Sequence, residues 1–275
     1  MLLVDMHVHS LHSDGTYSIE KIVKSAKKRH LNMISITDHD TTSGLNEFKE
    51  KCKIEKINGL TGIELSAEAD FVLHILGYRI DANNKKLNER LKEVREKRNI
   101  RNEKMCEKLC ENGIEINIEE VKEIAQGEVI ARPHIATLLV KKGYVSTNGE
   151  AFAKYLGRNG KAYVPRERLT SKECIQLINE AGGVAVIAHP LQTYLEESKL
   201  EALIAKLKNE GLWGIETIYT GYRSEMIYNI TKLANKYSLM CTAGSDFHGE
   251  NKTRIEMGMQ VPDTLLPWAR LGINI

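Results

Sequence analysis

The sequence predicts an α/β barrel-like domain that carries a helical insertion. A length of 275 residues suits one large α/β domain, and a composition of 42% hydrophobic and 28% charged residues is globular. Short apolar runs alternate with helical stretches at both ends of the chain, as in parallel sheets covered by helices. The formal charge is only +2, so binding of nucleic acid through bulk charge is not expected, nor is a stable DNA complex.

The cysteines and the first residues indicate where the protein works. The five cysteines are scattered and form no CxxC pair, which fits neither a disulfide framework nor a structural zinc knuckle. The first ten residues lack the basic region of a signal peptide. No apolar run approaches the roughly 18–20 residues that a membrane helix needs. We therefore expect a cytoplasmic protein with reduced thiols and no membrane partner.

The first eighty residues are predicted to alternate strands with helices. The strands are expected from apolar and β-branched runs at residues 2–7, 33–37, 60–66 and 71–78. A helix is predicted to begin after Ser18, a suitable N-cap, and to reach about Arg29 with one apolar face. A second helix is predicted over residues 44–52.

The strands stop at about residue 83, and the chain is helical in pattern to about residue 160. Alternation then resumes, with strands predicted at 161–164, 183–188, 213–218 and 239–243 and helices near 171–181, 197–210 and 223–236. An insertion into one barrel explains this interruption better than two independent domains. We expect a barrel domain of residues 1–82 and 161–275 and a helical subdomain of residues 83–160.

Residues that can bind metal lie where the predicted strands end. His7 and His9 belong to the end of the first strand, and two residues at this spacing on a strand point to one face, where they can hold one ion. Asp246 follows the last predicted strand in the same way. In parallel α/β barrels such strand ends form one shared active-site face. Each residue alone could be an ordinary polar residue, but six histidines and three carboxylates so placed indicate a metal site.

A resemblance to a known family is carried by seven segments: DMHVHSLHSDGTYS, ISITDHDTTSG, GIELSAE, HILGY, ARPHIA, GGVAVIAHP and GSDFHG. The chain resembles the PHP (polymerase and histidinol phosphatase) superfamily over nearly its whole length. It is most similar to the branch that removes the 3′-phosphate from 3′,5′-nucleoside bisphosphates or trims short RNA from the 5′ end. The resemblance implies a distorted, seven-stranded (β/α) TIM-like barrel with an inserted helical subdomain and three metal ions.

The resemblance also implies a role for nine side chains. It assigns one metal to His7, His9, Glu64 and Asp246, a second metal, bridged by Glu64, to His74 and His189, and a third to Asp14, His39 and His248. Imidazole and carboxylate ligands without thiolate suit Mn, Fe or Zn. Three divalent ions would outweigh the three ligand carboxylates, so the loaded site would attract phosphate. We expect a metal-activated water as the nucleophile and assign no separate protein base.

Further predictions concern residues around the ligands. Asp5, Asp38 and Asp40 lie beside ligands and are expected to accept hydrogen bonds from imidazole N–H groups. In the ARPHIA segment, Pro133 suits the first position of a helix, which places Arg132 and His134 beside backbone N–H groups that favour anions. Arginine can also hold a phosphate through two N–H groups at once.

We therefore expect Arg132 and His134 to bind substrate phosphate, as the resemblance also implies. The alternative is an ordinary helix start with a partly buried histidine. Lys161 and Arg166 are further candidates.

The leading hypothesis is a metal-dependent phosphoesterase that acts on nucleoside bisphosphates, with short single-stranded RNA as a further substrate. Histidinol-phosphate phosphatase is the alternative enzyme of the same superfamily. A non-catalytic PHP accessory module, like those attached to some polymerases, is the alternative of a different class. The complete ligand set argues against such a module.

Overall fold

The computed structural model describes residues 1–125 and 127–272. The strands are β1 Leu2–Val8, β2 Met33–Ile36, β3 Asn58–Ser66, β4 His74–Tyr78, β5 Val184–Ile187, β6 Gly214–Tyr219, β7 Met240–Gly244 and β8 Met259–Val261. The helices are α1 Ile19–Lys28, α2 Leu45–Glu55, α3 Lys85–Glu111, α4 Ile118–Ala125, α5 Arg132–Lys141, α6 Asn148–Ala151, α7 Ser171–Glu180, α8 Glu197–Asn209 and α9 Ser224–Lys236. Within these residues, no helix is both long and apolar enough to cross a membrane.

Side-chain caps fix the starts of several helices. The Ser18 hydroxyl accepts a hydrogen bond from the Lys21 amide, as the sequence predicts for α1. The carbonyl oxygen of Asn84 caps α3 in the same way. At α7, Thr170 and Glu173 form a capping box that satisfies two backbone N–H groups reciprocally.

The eight strands form one sheet in the order β7-β6-β5-β4-β3-β2-β1-β8. The sheet curls into a nearly closed barrel, because the residues just after β7 pair with β1. The amide of Asp246 donates to the carbonyl of His7, and the carbonyl of Phe247 accepts from the amide of His9. The predicted α/β barrel is confirmed. The apolar faces of β1 to β7 and of the covering helices form its core.

The sheet departs from the expected parallel barrel of seven strands in two ways. β4 is antiparallel to both β3 and β5, because only seven residues join β3 to β4, and a parallel crossover needs a dozen or more. An eighth strand, β8, pairs antiparallel with β1. The strand predicted at 161–164 is wrong: these residues form a turn and an irregular segment, since the following Pro165 cannot donate to a sheet.

Helix α3 joins two hydrophobic clusters. Leu87 and Leu91, in its first half, belong to the barrel core, whereas Met105 and Leu109, in its second half, pack in a separate cluster with α4 and α5. The helical character predicted between about 83 and 160 is present in α3 to α6 and in a π-helical turn at Phe152–Leu156. The division into a barrel domain and a helical subdomain stays a prediction.

Candidate metal centre

The nine predicted ligands meet at one end of the barrel. They form four overlapping groups, each with all its ligand atoms within 4.8 Å of one another. These groups are His9, Asp14, His39 and His248; His7, His9 and Asp246; His7, Glu64 and His189; and His39, Glu64 and His74. Because β4 is antiparallel, its first residue, His74, reaches the edge where the neighbouring strands end. We call these nine residues the ligand cage.

Glu64 lies at the centre of the cage and faces two sets of imidazoles. Its Oε1 lies 2.8 Å from Nδ1 of His74 and 3.1 Å from Nε2 of His189. Its Oε2 lies 3.1 Å from Nδ1 of His39 and 3.2 Å from Nε2 of His9. Burial alone would raise the pKa of Glu64, but the surrounding imidazoles, His39 first, hold that pKa well below its ordinary value. The carboxylate is thus ionised and turned in two directions, as a bridging ligand would be.

The spacing of the donor atoms fits a bound ion. Four ligands placed tetrahedrally about 2.1 Å from a metal lie about 3.4 Å from one another. The observed separations are 3.1 Å between Nε2 of His7 and Nε2 of His9, and 3.4 Å between Nε2 of His9 and Oδ1 of Asp246. Nδ1 of His39 is buried, and although Oε2 of Glu64 lies 3.1 Å away, this atom makes no hydrogen bond of good geometry within the described residues. The residues therefore fit a metal, while the way they divide among ions stays a prediction.

Glu216, in β6, orients two residues of the ligand cage, His7 and His189. Its Oε1 lies 3.0 Å from Nδ1 of His7, and its Oε2 accepts from the backbone N–H of His189 at 2.7 Å. That bond holds His189 at a positive φ of 28°, a strained conformation for a side chain of this size. Burial by itself would lower the pKa of His7, but Glu216 and Glu64 raise it well above the ordinary value. The sequence signal for Glu216 was a carboxylate inside an otherwise apolar strand.

Asp246 is held by two side chains that were not predicted. The Tyr219 hydroxyl donates to its Oδ2 at 2.8 Å, and Nζ of Lys252 lies 2.6 Å from the same atom. Burial by itself would raise the pKa of Asp246, but Lys252 and His248 hold that pKa well below the ordinary range. Oδ1 therefore remains available to the cage while Oδ2 is fixed.

The expectation that Asp5 and Asp38 accept from imidazoles is wrong. Asp5 accepts from the backbone and hydroxyl of Ser245, which ties β1 to the loop after β7. Asp38 accepts from the hydroxyls of Ser10 and Ser13. Both carboxylates are buried, and their bonds to serines fix the loops that carry predicted ligands.

Asp40 also departs from that expectation, because it pairs with arginines. Its carboxylate contacts Arg98 and lies 3.5 Å from Nη1 of Arg166, within a wall built from α3 and the segment before α7. The two guanidinium groups outweigh burial, which alone would raise the pKa of Asp40, and lower that pKa to about 2. Since Asp40 follows His39 directly, it links the cage to this wall.

The wall belongs to a cavity of about 170 Å³ that opens onto the cage. The cavity shares Asp14, His39 and His74 with the cage and is bordered by the aromatic rings of Phe152 and Tyr163. Its most unusual feature is five arginines: Arg98, Arg101, Arg132, Arg166 and Arg168. We call it the arginine pocket. Among the described residues, Asp40 is the one carboxylate that pairs with any of the five.

The arginine pocket is short of negative charge. Burial, together with Arg98 and Arg132, lowers the pKa of Arg101 to about 8, and burial lowers that of Arg166 to about 9. Within the described residues, the one hydrogen bond of the Arg101 side chain is to the sulfur of Met105. Arg132 donates to the carbonyl of Leu156. Arginine hardly loses its proton in proteins. The lowered pKa values therefore reflect burial and repulsion between neighbouring guanidinium groups, and a bound anion would reduce that repulsion.

The predicted phosphate-binding residues differ in placement. Arg132 and Arg166 line the arginine pocket, whereas Lys161 is exposed and lines neither cavity at the cage. Helix α5 begins at Arg132, one residue earlier than expected. His134 is buried, and its Nδ1 accepts from the amide of Ala131 at 3.1 Å. A substrate contact by His134 stays a prediction.

Three pocket arginines were missed, although the sequence held a signal for two of them. Arg98 and Arg101 fall on the apolar seam of α3, at positions where its three- and four-residue spacing calls for a core residue, and both are buried. Arg168 lies in the irregular segment before α7, where no periodicity guides a prediction.

This fold and site define a class. A nearly closed α/β barrel with a cage of imidazoles and carboxylates at its strand ends, beside five arginines that share one carboxylate partner, is built to bind metal ions and phosphate esters. The chain is a metal-dependent phosphoric ester hydrolase, as the sequence predicted. A family model described as "PHP domain" matches residues 5–211, and the chain belongs to this family.

Individual relatives agree with this assignment. A 5'-3' exoribonuclease of Haemophilus influenzae is 34% identical over 89% of this chain and 89% of its own length. A 3',5'-nucleoside bisphosphate phosphatase of Chromobacterium violaceum is 30% identical over 100% of this chain and 98% of its own. A solved structure from Bifidobacterium adolescentis, classed among the metal-dependent phosphoesterases, has a TM-score of 0.82 and 32% identity, and covers 95% of this chain and 92% of that one.

Proposed function

We propose that this chain hydrolyses phosphate from nucleotides that carry two phosphate groups, foremost 3′,5′-nucleoside bisphosphates, and that it also accepts short 5′-phosphorylated RNA. One observation carries the proposal: the arginine pocket opens directly onto the ligand cage through Asp14, His39 and His74. Two neighbouring sites for phosphate fit a substrate with two phosphates. The names of the relatives from Haemophilus influenzae and Chromobacterium violaceum support the same substrate class.

The nine cage residues would hold three divalent ions, for which Mn, Fe and Zn all suit nitrogen and oxygen ligands. When bound, such ions lower the pKa of a water and neutralise charge on phosphate oxygens. The protein's own part is positioning. Glu216 fixes the ring of His7 and the backbone of His189, while Tyr219 and Lys252 fix Asp246. These contacts hold the ligands in place before substrate arrives.

The arginine pocket would bind the phosphate that is not removed. Arg132 and Arg166, with the other pocket arginines, can hold its oxygens through paired N–H groups. Phe152 and Tyr163 border the same cavity and offer apolar faces to the ribose or base. The substrate would thus lie with its 5′-phosphate among the arginines and its 3′-phosphate at the cage.

The same charges argue against the alternatives. Histidinol phosphate has a single phosphate and a cationic amine, which five arginines would repel. An accessory module without catalysis has no need for a group of arginines that outnumber their carboxylate partners beside a complete predicted ligand set. Nucleotide substrates and five free cysteines also fit the reducing cytoplasm, where we place the enzyme.

The test is phosphate release from four compounds in the presence of Mn²⁺: adenosine 3′,5′-bisphosphate, 3′-AMP, histidinol phosphate and a short 5′-phosphorylated RNA. We expect the bisphosphate to have a kcat/KM at least about 100-fold above that of 3′-AMP, because 3′-AMP leaves the arginines unpaired. Preference for histidinol phosphate would overturn the proposal. Inactivity on all four would favour the accessory module.

A further inference from the structure

A second cavity, of about 310 Å³, also opens onto the ligand cage. It shares Pro133 and Phe152 with the arginine pocket, but none of the five arginines lines it. Beyond the cage residues, its wall comes from α6 and from the turns after β5 and β7. We call the three amide side chains of this wall, Asn148, Gln192 and Asn251, the amide wall; Lys252 lies beside them, and its ammonium group is paired with Asp246.

Several hydrogen-bonding groups of the amide wall have no partner within the described residues. The amide nitrogen of Gln192 donates to the Tyr219 hydroxyl, and that of Asn251 donates to the carbonyl of Asp14 at 2.8 Å. Neither side-chain carbonyl oxygen has a partner within the described residues, and the side chain of Asn148 makes no hydrogen bond there. Amide groups of this kind recognise base edges and ribose hydroxyls, whereas a phosphate dianion is better held by cations.

The amide wall is superfluous for a bisphosphate. A substrate with one phosphate among the arginines and the other at the cage would leave this second cavity uncovered. A phosphodiester differs because its phosphorus carries a nucleoside on each side. One nucleoside would extend toward the arginine pocket and the other toward the amide wall.

We propose that the amide wall binds the second nucleoside of a 5′-phosphorylated RNA, the one joined to the scissile phosphate through its O5′. This inference rests on the proposed function and extends it to a residue-level subsite. The oxygen of water bonds to phosphorus, the bond from phosphorus to O3′ of the first nucleoside breaks, and that oxygen gains a proton. The products are a nucleoside 5′-monophosphate and a chain that is one nucleotide shorter and carries a new 5′-phosphate.

The experiment compares adenosine 3′,5′-bisphosphate with 5′-phosphorylated diadenosine (pApA). Asn148→Trp fills the cavity from α6, where Asn148 is half-buried. We expect its kcat/KM to fall at least about tenfold for pApA, the scale of one lost base contact, and to stay within about twofold for the bisphosphate. The matched control is Gly149→Trp on the same helix, because Gly149 is exposed and an added Cβ there meets only a distant hydroxyl at 3.8 Å.

A second variant and a binding measurement distinguish a loss of the subsite from misfolding of Asn148→Trp. Asn148→Ala removes a side chain without internal hydrogen bonds, and we expect about a threefold loss on pApA alone. In metal-loaded protein, with a non-hydrolysable phosphonate analogue of each ligand, Asn148→Trp should weaken binding of the pApA analogue, measured by calorimetry, and leave binding of the bisphosphate analogue unchanged. Equal losses on both substrates, or no loss on either, would overturn the subsite. Wild-type protein that hydrolyses the bisphosphate but not pApA would also overturn it and leave the proposed function intact, whereas inactivity on both would refute the proposed function itself.

Discussion

The ligand cage and the arginine pocket share an edge, yet they are built in opposite ways. In the cage, three carboxylates lie among six imidazoles and each charge has a partner close by. In the arginine pocket, Asp40 is the one carboxylate among the described residues that pairs with any of the five guanidinium groups. The cage is assembled by strand ends, whereas the pocket is assembled by a long helix, a helix start and an irregular segment packed against the barrel. Under the proposed function, the barrel would supply the chemistry, and the elements packed against it would supply substrate recognition.

The largest effect is expected in the cage. Asp246→Ala or His39→Ala should lower kcat by more than about 100-fold and reduce the bound metal, because each removes a predicted ligand. The free energy of unfolding should remain high enough for a folded protein at room temperature. Metal content by mass spectrometry, kcat with Mn²⁺ and circular dichroism check the three expectations.

Glu216→Gln is the matched variant for this prediction. It keeps the shape of a residue that orients His7 and His189 without being in the predicted ligand set. We expect a smaller loss of activity, about 10- to 100-fold, as is typical for groups that orient ligands. Full turnover in Asp246→Ala or His39→Ala would remove these residues from the metal site.

A middle-sized effect is expected in the arginine pocket. Arg132→Ala should raise KM for adenosine 3′,5′-bisphosphate about tenfold, the worth of one charge-assisted contact, and should change kcat little. The difference should vanish with 3′-AMP, which has no phosphate for the pocket. Arg158→Ala is the control, because that side chain is exposed and pairs with Asp70 at 2.7 Å. An unchanged KM in Arg132→Ala would take this residue out of substrate binding.

The sequence predicted the two regions unequally, for physical reasons. Cage residues such as His7 and His9 lie in short motifs at strand ends, and strand ends in a barrel converge whatever the loops do. The arginine pocket depends on the tertiary packing of α3, which no local pattern specifies. Glu216 escaped prediction because its role follows from a contact with His7, 209 residues away in the chain. Lys252 escaped because its contact with Asp246 depends on the turn at Gly249–Lys252. The antiparallel direction of β4 follows from its short connection to β3, a feature that the alternation of strands and helices does not reveal.

The smallest expected effect is a change of a few degrees in Tm. It tests whether the arginines proposed to bind substrate destabilise the fold. Arg101 is buried, and burial with its arginine neighbours disfavours its charge. Replacing an unpaired buried ion with an apolar side chain of similar volume often stabilises a protein by at least about 1 kcal/mol. Arg101→Met should therefore raise Tm by about 2–4 °C while it raises KM for the bisphosphate.

Sulfate sharpens the same comparison. A dianion that enters the arginine pocket should raise the Tm of the wild-type protein, because it relieves the crowded cations, and should raise that of Arg101→Met by less. Arg158→Met, at the exposed ion pair, should leave both the Tm and its response to sulfate near those of the wild type. A lower Tm in Arg101→Met would mean that contacts such as the one with Met105 outweigh the repulsion, and the pocket would then be a structural element that also happens to lie beside the cage.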